Sequence, residues 1–84
     1  KIFKKLDEYI STPIIINGAN EMLVDLFLKK KLRYNGISGC LLKILTNKDY
    51  KKYAIKNPAK LKNIYEIDTW AKKEAFKASK KYQI

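Results

Sequence analysis

Side chains able to do chemistry are sparse in this sequence, and their types narrow what that chemistry could be. Histidine is absent and Cys40 is the single cysteine. A thiol with no imidazole to take its proton and no second soft ligand beside it is expected to be an apolar core group among Ile37, Leu41 and Leu42. The 8 acidic residues include no recognisable pair of the kind general acid–base catalysis requires. Without histidine, only a carboxylate-ligated Mg²⁺ could be held, and the acids do not cluster for it. Gly18, Gly36 and Gly39 follow no phosphate-cradling spacing. The chain by itself is therefore expected to be no enzyme, with no catalytic, cofactor, metal or small-molecule site.

One segment does not fit a bland helix. Residues 13–21 place Asn17, Asn20 and Glu21 within an otherwise apolar run. Asparagine is a poor helix former because its amide competes for nearby backbone groups, so its use in the first two turns asks for a reason. Two readings fit. The polar groups could serve the exposed backbone of the helix start, with Glu21 set against the dipole. Alternatively, Asn17, Asn20 and Glu21 hydrogen-bond to a neighbouring element or domain, and this is the reading preferred here.

The elements that must position these residues read as helices. Ile2, Phe3, Leu6 and Ile10 recur at helical spacing and suggest a short helix ending near residues 9–11. Thr12 is expected to cap a second helix, with Pro13 in its first turn, where a missing N–H costs nothing. Its inner stripe is Ile15, Ala19, Met22, Leu23, Leu26 and Phe27. Asn17, Glu21 and Asp25 lie at steps of four on another face. Lys29, Lys30 and Lys31 suit its C-terminal end, and Asn35-Gly36 is the turn that follows. Ile37, Cys40, Leu41, Ile44 and Leu45 make a third helix, weak at Gly39 and stopping at Thr46-Asn47. A short helix and a loop at Asn57-Pro58 come next. Asp68 or Thr69 is expected to cap the last helix, with Trp70, Ala71, Ala75, Ala78 and Tyr82 inward and Lys72, Lys73, Lys77, Lys80 and Lys81 in water. The fold expected is all-α, a small four- to five-helix bundle in which residues 1–84 form one domain.

Composition agrees with a packed fold, since 46% hydrophobic and 12% aromatic residues exceed what a disordered polar chain carries. The net charge of +11 arises from 19 basic residues. Arg33 is the only arginine among them, and arginine is the residue that forks onto phosphates and guanine edges. The lysines are scattered rather than striped, which argues against nucleic acid. No apolar run is long enough for a membrane span. Lys1 in place of a methionine suggests a processed or excised piece of a longer chain.

The Asn17 segment also carries a resemblance. Thr12-Pro-Ile-Ile-Ile-Asn-Gly-Ala-Asn-Glu-Met-Leu-Val-Asp-Leu-Phe-Leu28, then Lys31-Leu-Arg-Tyr-Asn-Gly-Ile37, resembles the Pro-x-x-Leu-Asn-Ala-Ala-Asn-Glu-x-Ala-Val-x-x-Phe-Leu…Ile-x-Phe-x-x-Ile stretch of the 1-deoxy-D-xylulose 5-phosphate reductoisomerases. Ile67-Asp-Thr-Trp-Ala-Lys-Lys-Glu-Ala75 is similar to that family's closing helix, so the two matches frame residues 12–84. Gly18 stands where the family usually has alanine, and Glu8-Tyr9-Ile10-Ser11 replaces its Gly-Gly turn.

The resemblance implies the C-terminal helical domain of a dimeric, NADPH- and divalent-metal-dependent enzyme of non-mevalonate isoprenoid synthesis. The family's cofactor-, metal- and substrate-binding parts all lie upstream of that domain, so no catalytic residue carries over. The partner implied is the rest of the parent chain, braced through Asn17, Asn20 and Glu21. A stand-alone, inactive, basic protein-binding module of the same family is the alternative. The Lys/Ile/Asn/Tyr bias together with the family's occurrence implies a plastid (apicoplast) or a bacterial-type cytoplasm.

Overall fold

The structure is a computed structural model that describes residues 9–84. It contains helices α1 (Thr12–Leu28), α2 (Gly36–Leu45), α3 (Tyr50–Ala54) and α4 (Leu61–Ser79), with a closing 3-10 turn at Lys80–Tyr82. Among the described residues the only extended pairing is an isolated antiparallel bridge between Leu32 and Gln83. The expected all-α bundle is therefore the fold. The helix expected on residues 2–10 lies outside the described residues. No helix of the described residues is long and apolar enough to cross a membrane.

Helix α1 forms where the apolar period predicts. Ile15, Ala19 and Leu23, four residues apart, are completely buried, with Met22 and Leu26 packed beside them. Its start differs from expectation, because Thr12 does not cap. Ser11 holds the N-cap position, and no side chain bonds to the first-turn amides. The Thr12 Oγ1 instead accepts the Tyr9 N–H at 2.9 Å and pairs with the Tyr50 hydroxyl. Ser11 donates its N–H to the Ala54 carbonyl at 2.9 Å and its hydroxyl to the Lys56 carbonyl. Both capping-type residues are buried, and a buried hydroxyl must find a partner wherever one lies. Here the partners lie on and just after α3, so the hydroxyls fasten the two elements together.

At the other end α1 stops on a non-glycine left-handed residue, Lys30, with φ 61. The Lys31 N–H reaches the Leu26 carbonyl at 2.9 Å and the Lys30 N–H reaches Phe27 at 3.0 Å. This pair of bonds is the Schellman arrangement, which satisfies carbonyls the helix leaves open. The lysines thus lie just past the last helical residue.

Helix α2 ends at Thr46, whose hydroxyl donates to the Leu42 carbonyl at 2.9 Å. Cys40 is fully buried on its inner side, and that burial pushes the thiol above the usual range, against a smaller opposing pull from Lys43. The Asn57 Oδ1 accepts the Ala59 N–H at 2.9 Å, the side-chain turn expected of Asn-Pro.

Helix α4 begins at Leu61, so Asp68 and Thr69 lie inside it rather than at its start. Ile64, Ile67, Ala71, Ala75 and Ala78 continue one helical stripe from the first turn onward, and burial of that stripe overrides the capping tendency of Asp68. Ile67 is fully buried. Of the lysines expected in water, Lys72 is half-buried, while Lys73, Lys77, Lys80 and Lys81 are exposed.

The α1–α4 pair forms the spine of the molecule, and α2 closes one side. Small buried residues on both helices, Gly18 and Ala19 on α1 and Ala71 and Ala75 on α4, let the axes approach. A Cβ at Gly18 would meet the Asp68 Oδ1 at 2.6 Å. Tyr82 then lies across α2, where a Cβ at Gly36 would meet the Tyr82 Cβ at 2.6 Å, and one at Gly39 would strike the phenol ring. Among the described residues Ile15, Leu23, Leu32, Ile44 and Ile67 are the largest fully buried apolar side chains. Each contributes about 1.5–3 kcal/mol relative to exposure.

Candidate interdomain face

Asn17, Asn20 and Glu21 all project from α1 into solvent. None caps the helix, and Glu21 lies well past the first turn, so the backbone-and-dipole reading does not describe them. The Asn17 Nδ2 donates to the Glu21 Oε2 at 3.3 Å. The Glu21 Oε1 meets the Lys72 Nζ on α4 at 3.2 Å, and the same ammonium reaches the Asp68 Oδ2 at 2.8 Å. A continuous polar chain, Asn17–Glu21–Lys72–Asp68, thus crosses from α1 to α4. The bonds to Asp68 first and Glu21 second raise the Lys72 pKa above the usual lysine range. At this exposure each ion pair is worth only about 0.2–1 kcal/mol. Asn20 makes no side-chain hydrogen bond to any described residue.

Beside this chain lies a groove of about 520 Å³ on one side of α4 and another of about 470 Å³ on the other. The second is the one that borders Asn17. Pro13, Ile14 and Asn17 form its α1 wall, and Leu61, Ile64, Tyr65 and Asp68 its α4 wall. Leu61 and Tyr65 are 80% and 71% exposed. Apolar side chains converging on a groove, with amide and carboxylate groups at its edge, form a surface suited to protein contact. Sequence reasoning reached Asn17, Asn20 and Glu21 but missed Leu61, Ile64 and Tyr65. The signal was the step from Leu61 to Ile64 and Tyr65 to Asp68, a helical repeat hidden by the surrounding lysines.

The family resemblance raises NADPH and a divalent metal, and the donor set can be tested. Among the described residues no three His, Cys, Asp or Glu side chains lie close enough together to hold an ion. Two carboxylates of the candidate face, Glu21 and Asp68, converge on the Lys72 ammonium, which already supplies the cation between them. The described residues do not fit the metal, and no glycine-rich turn opens a helix toward a pyrophosphate. No chemical step is assigned to either group in this chain.

Comparison with known proteins bears on what the face belongs to. Residues 3–74 match the family described as the DXP reductoisomerase C-terminal domain. A 1-deoxy-D-xylulose 5-phosphate reductoisomerase of Prochlorococcus marinus is 41% identical over 76 residues, covering 83% of this chain and 17% of that protein. The apicoplastic reductoisomerase of Plasmodium falciparum is 32% identical over 63 residues, 75% of this chain and 13% of its own length. That of Clostridium botulinum is 46% identical over 56 residues, 67% of this chain and 13% of its own. The chain thus spans 13 to 17% of the length of these relatives. No solved structure matches it. With 72 consecutive positions, residues 3–74, inside the family match, this chain belongs to the DXP reductoisomerase C-terminal domain family.

Proposed function

We propose that the chain is a non-catalytic helical domain that braces the catalytic domain of a 1-deoxy-D-xylulose 5-phosphate reductoisomerase-like protein of isoprenoid biosynthesis. The observation that carries this reading is the α1 face. Asn20 stands without a partner among the described residues, beside the Asn17–Glu21–Lys72 chain and the apolar groove of Leu61, Ile64 and Tyr65. An amide beside an open apolar groove is a contact left for a second surface, and the parent's catalytic domain is the surface chosen. The chemistry, including NADPH and the divalent metal, belongs in this reading to the rest of the parent. Its compartment in this reading is a plastid, as the apicoplastic Plasmodium relative supports, or a bacterial-type cytoplasm.

The test is calorimetric binding of this chain to the separately expressed remainder of the parent, alongside NADPH-dependent turnover of 1-deoxy-D-xylulose 5-phosphate by the joined protein. Asn20→Leu leaves an interface group unpaired, a loss of about 1–3 kcal/mol, or about five- to 150-fold in affinity. Equal affinity for wild type and Asn20→Leu would remove Asn20 from the interface and the bracing reading with it.

A further inference from the structure

The 520 Å³ groove lies between α3 and α4; it shares Tyr65 with the face proposed above, but its chemistry is different. Tyr53 and Trp70 form its floor, stacked with centroids 4.6 Å apart and planes 11° from parallel. Lys52, Lys56 and Lys73 line it, with Tyr65, Glu66 and Thr69. Glu66 is the single carboxylate present and is already paired with the Lys56 Nζ at 3.5 Å. Neither Lys52 nor Lys73 pairs with a carboxylate among the described residues. Two uncompensated ammonium groups beside an aromatic floor favour an anion with apolar substance.

Shape narrows the choice. The α4 wall runs from Tyr65 to Lys73, two helical turns and roughly 12 Å at about 1.5 Å per residue. That matches about four residues of extended peptide at about 3.3 Å each. Lys56 and Glu66 mark one end, the Tyr53–Trp70 stack the middle, and Lys73 the other end, one turn beyond Trp70. A compact anion such as phosphate would engage one end only.

The rings argue against a nucleic-acid strand. Trp70 covers one side of Tyr53, and the Lys52 and Lys56 ammonium groups stand over the same ring at 5.6 and 5.8 Å from its centroid. Trp70 takes one face of that ring and the two ammonium groups compete with a base for the rest, whereas stacking platforms are what single strands require. Tyr65, at the rim, offers one open ring, enough for a single apolar side chain. Arginine is absent from the groove.

We propose that the α3–α4 groove is a docking site for a short acidic peptide segment of a partner protein, with carboxylates on Lys52 and Lys73 and an apolar side chain against Tyr65. The proposal does not rest on the bracing reading, although the two surfaces share Tyr65, and it is tested without the parent chain. Trp70 is the only tryptophan, so its emission reports filling of the groove.

The probe is the blocked pentapeptide Glu-Asp-Phe-Asp-Glu, titrated at low salt, with the Glu-Asp-Ala-Asp-Glu analogue, inorganic phosphate and a ten-nucleotide deoxythymidine oligomer as comparisons. The expected result is a saturable change in Trp70 emission with the phenylalanine peptide and weaker binding of the other three. The K52A/K73A variant should weaken the peptide by about five- to tenfold, the loss of two partly exposed ion pairs. K31A/K81A removes the same charge from exposed positions outside the groove and should change affinity less than twofold, roughly. Equal weakening by both double variants would reduce the effect to net charge. Tighter binding of the oligomer or of phosphate, or binding without a change in Trp70, would each overturn the proposal.

Discussion

Replacing Gly18 with alanine tests the tight approach of α1 to α4, and its sign depends on one neighbouring carboxylate. Glycine inside a helix costs about 0.5–1 kcal/mol relative to alanine, so Gly18→Ala would by itself stabilise α1 by that amount. The new Cβ would stand 2.6 Å from the Asp68 Oδ1 and 3.4 Å from the Asp68 carbonyl oxygen. Only the first contact is intolerable, so the carboxylate must withdraw to 3.4 Å or beyond. Leaving its rotamer costs about 0.5–1.5 kcal/mol, and loosening the 2.8 Å bond to Lys72 costs about 0.2–1 kcal/mol more. In the wild-type background the expected result is therefore a net loss of roughly 0.5 kcal/mol. In an Asp68→Ala background the obstacle is gone, and the same substitution should gain about 0.5–1 kcal/mol. The coupling of about 1–1.5 kcal/mol is read from urea melts of the four proteins by circular dichroism at the helix band. With a urea dependence of about 1–1.5 kcal/mol/M for a chain this small, it separates the midpoint shifts by about 1 M. Equal shifts of Gly18→Ala in both backgrounds would mean that Asp68 does not sit over Gly18.

Two further outcomes follow from the helix ends and the polar chain. Lys30→Gly relieves about 1–2 kcal/mol of left-handed strain and returns about 0.5–1 kcal/mol in unfolded-state entropy, raising Tm by about 2–6 °C. Lys29→Gly, at φ −85, should lower Tm, and parallel shifts in the two melts would contradict the Schellman geometry. For Lys72, whose folded pKa is raised by Asp68 and Glu21, the stabilisation is complete below the unfolded lysine pKa. It is lost as pH rises through the higher folded value. The stability difference between wild type and Lys72→Met should therefore be constant from pH 7 to about 10 and shrink above about 10.5. A difference that persists at pH 12 would show that Lys72 acts through packing of its stem instead.

Ile15, Ala19 and Leu23 could be read from the sequence because an apolar side chain is buried by whatever lies opposite, and spacing alone selects the face. Cys40, Ile44 and Leu45 on α2 follow the same logic. Capping obeys a different one. A hydroxyl or carboxylate takes the strongest partner in three dimensions, so Ser11 and Thr12 went to α3 and Asp68 to Lys72. Local pattern cannot anticipate partners up to 45 residues away in sequence. At the candidate face the asparagines and Glu21 were legible as polar groups out of place. Leu61, Ile64 and Tyr65 were not, because dense lysines lower the apparent amphipathicity of a helix whose exposed apolar groups look like noise.

The exposed apolar residues are not equivalent, and the difference is what gives the two grooves meaning. A domain of this size buries only about 60–65% of its unfolded surface, so isolated exposures such as Ile55 and Leu28 are the ordinary remainder. Leu61, Ile64 and Tyr65 differ because they converge with Pro13 and Ile14 on one concavity. Tyr65 also lines the lysine groove on the other side of α4. One ring cannot be covered from both sides by independent partners without each altering the other's contact. If a braced domain draws Tyr65 toward α1, the acidic peptide loses its apolar rest and keeps only its ion pairs. By linkage the effect is mutual, and peptide on the α3 side would weaken docking on the α1 side by the same factor. The first half of α4, which precedes the Asp68–Thr69 start expected from the sequence, is thus the element on which both proposed surfaces depend.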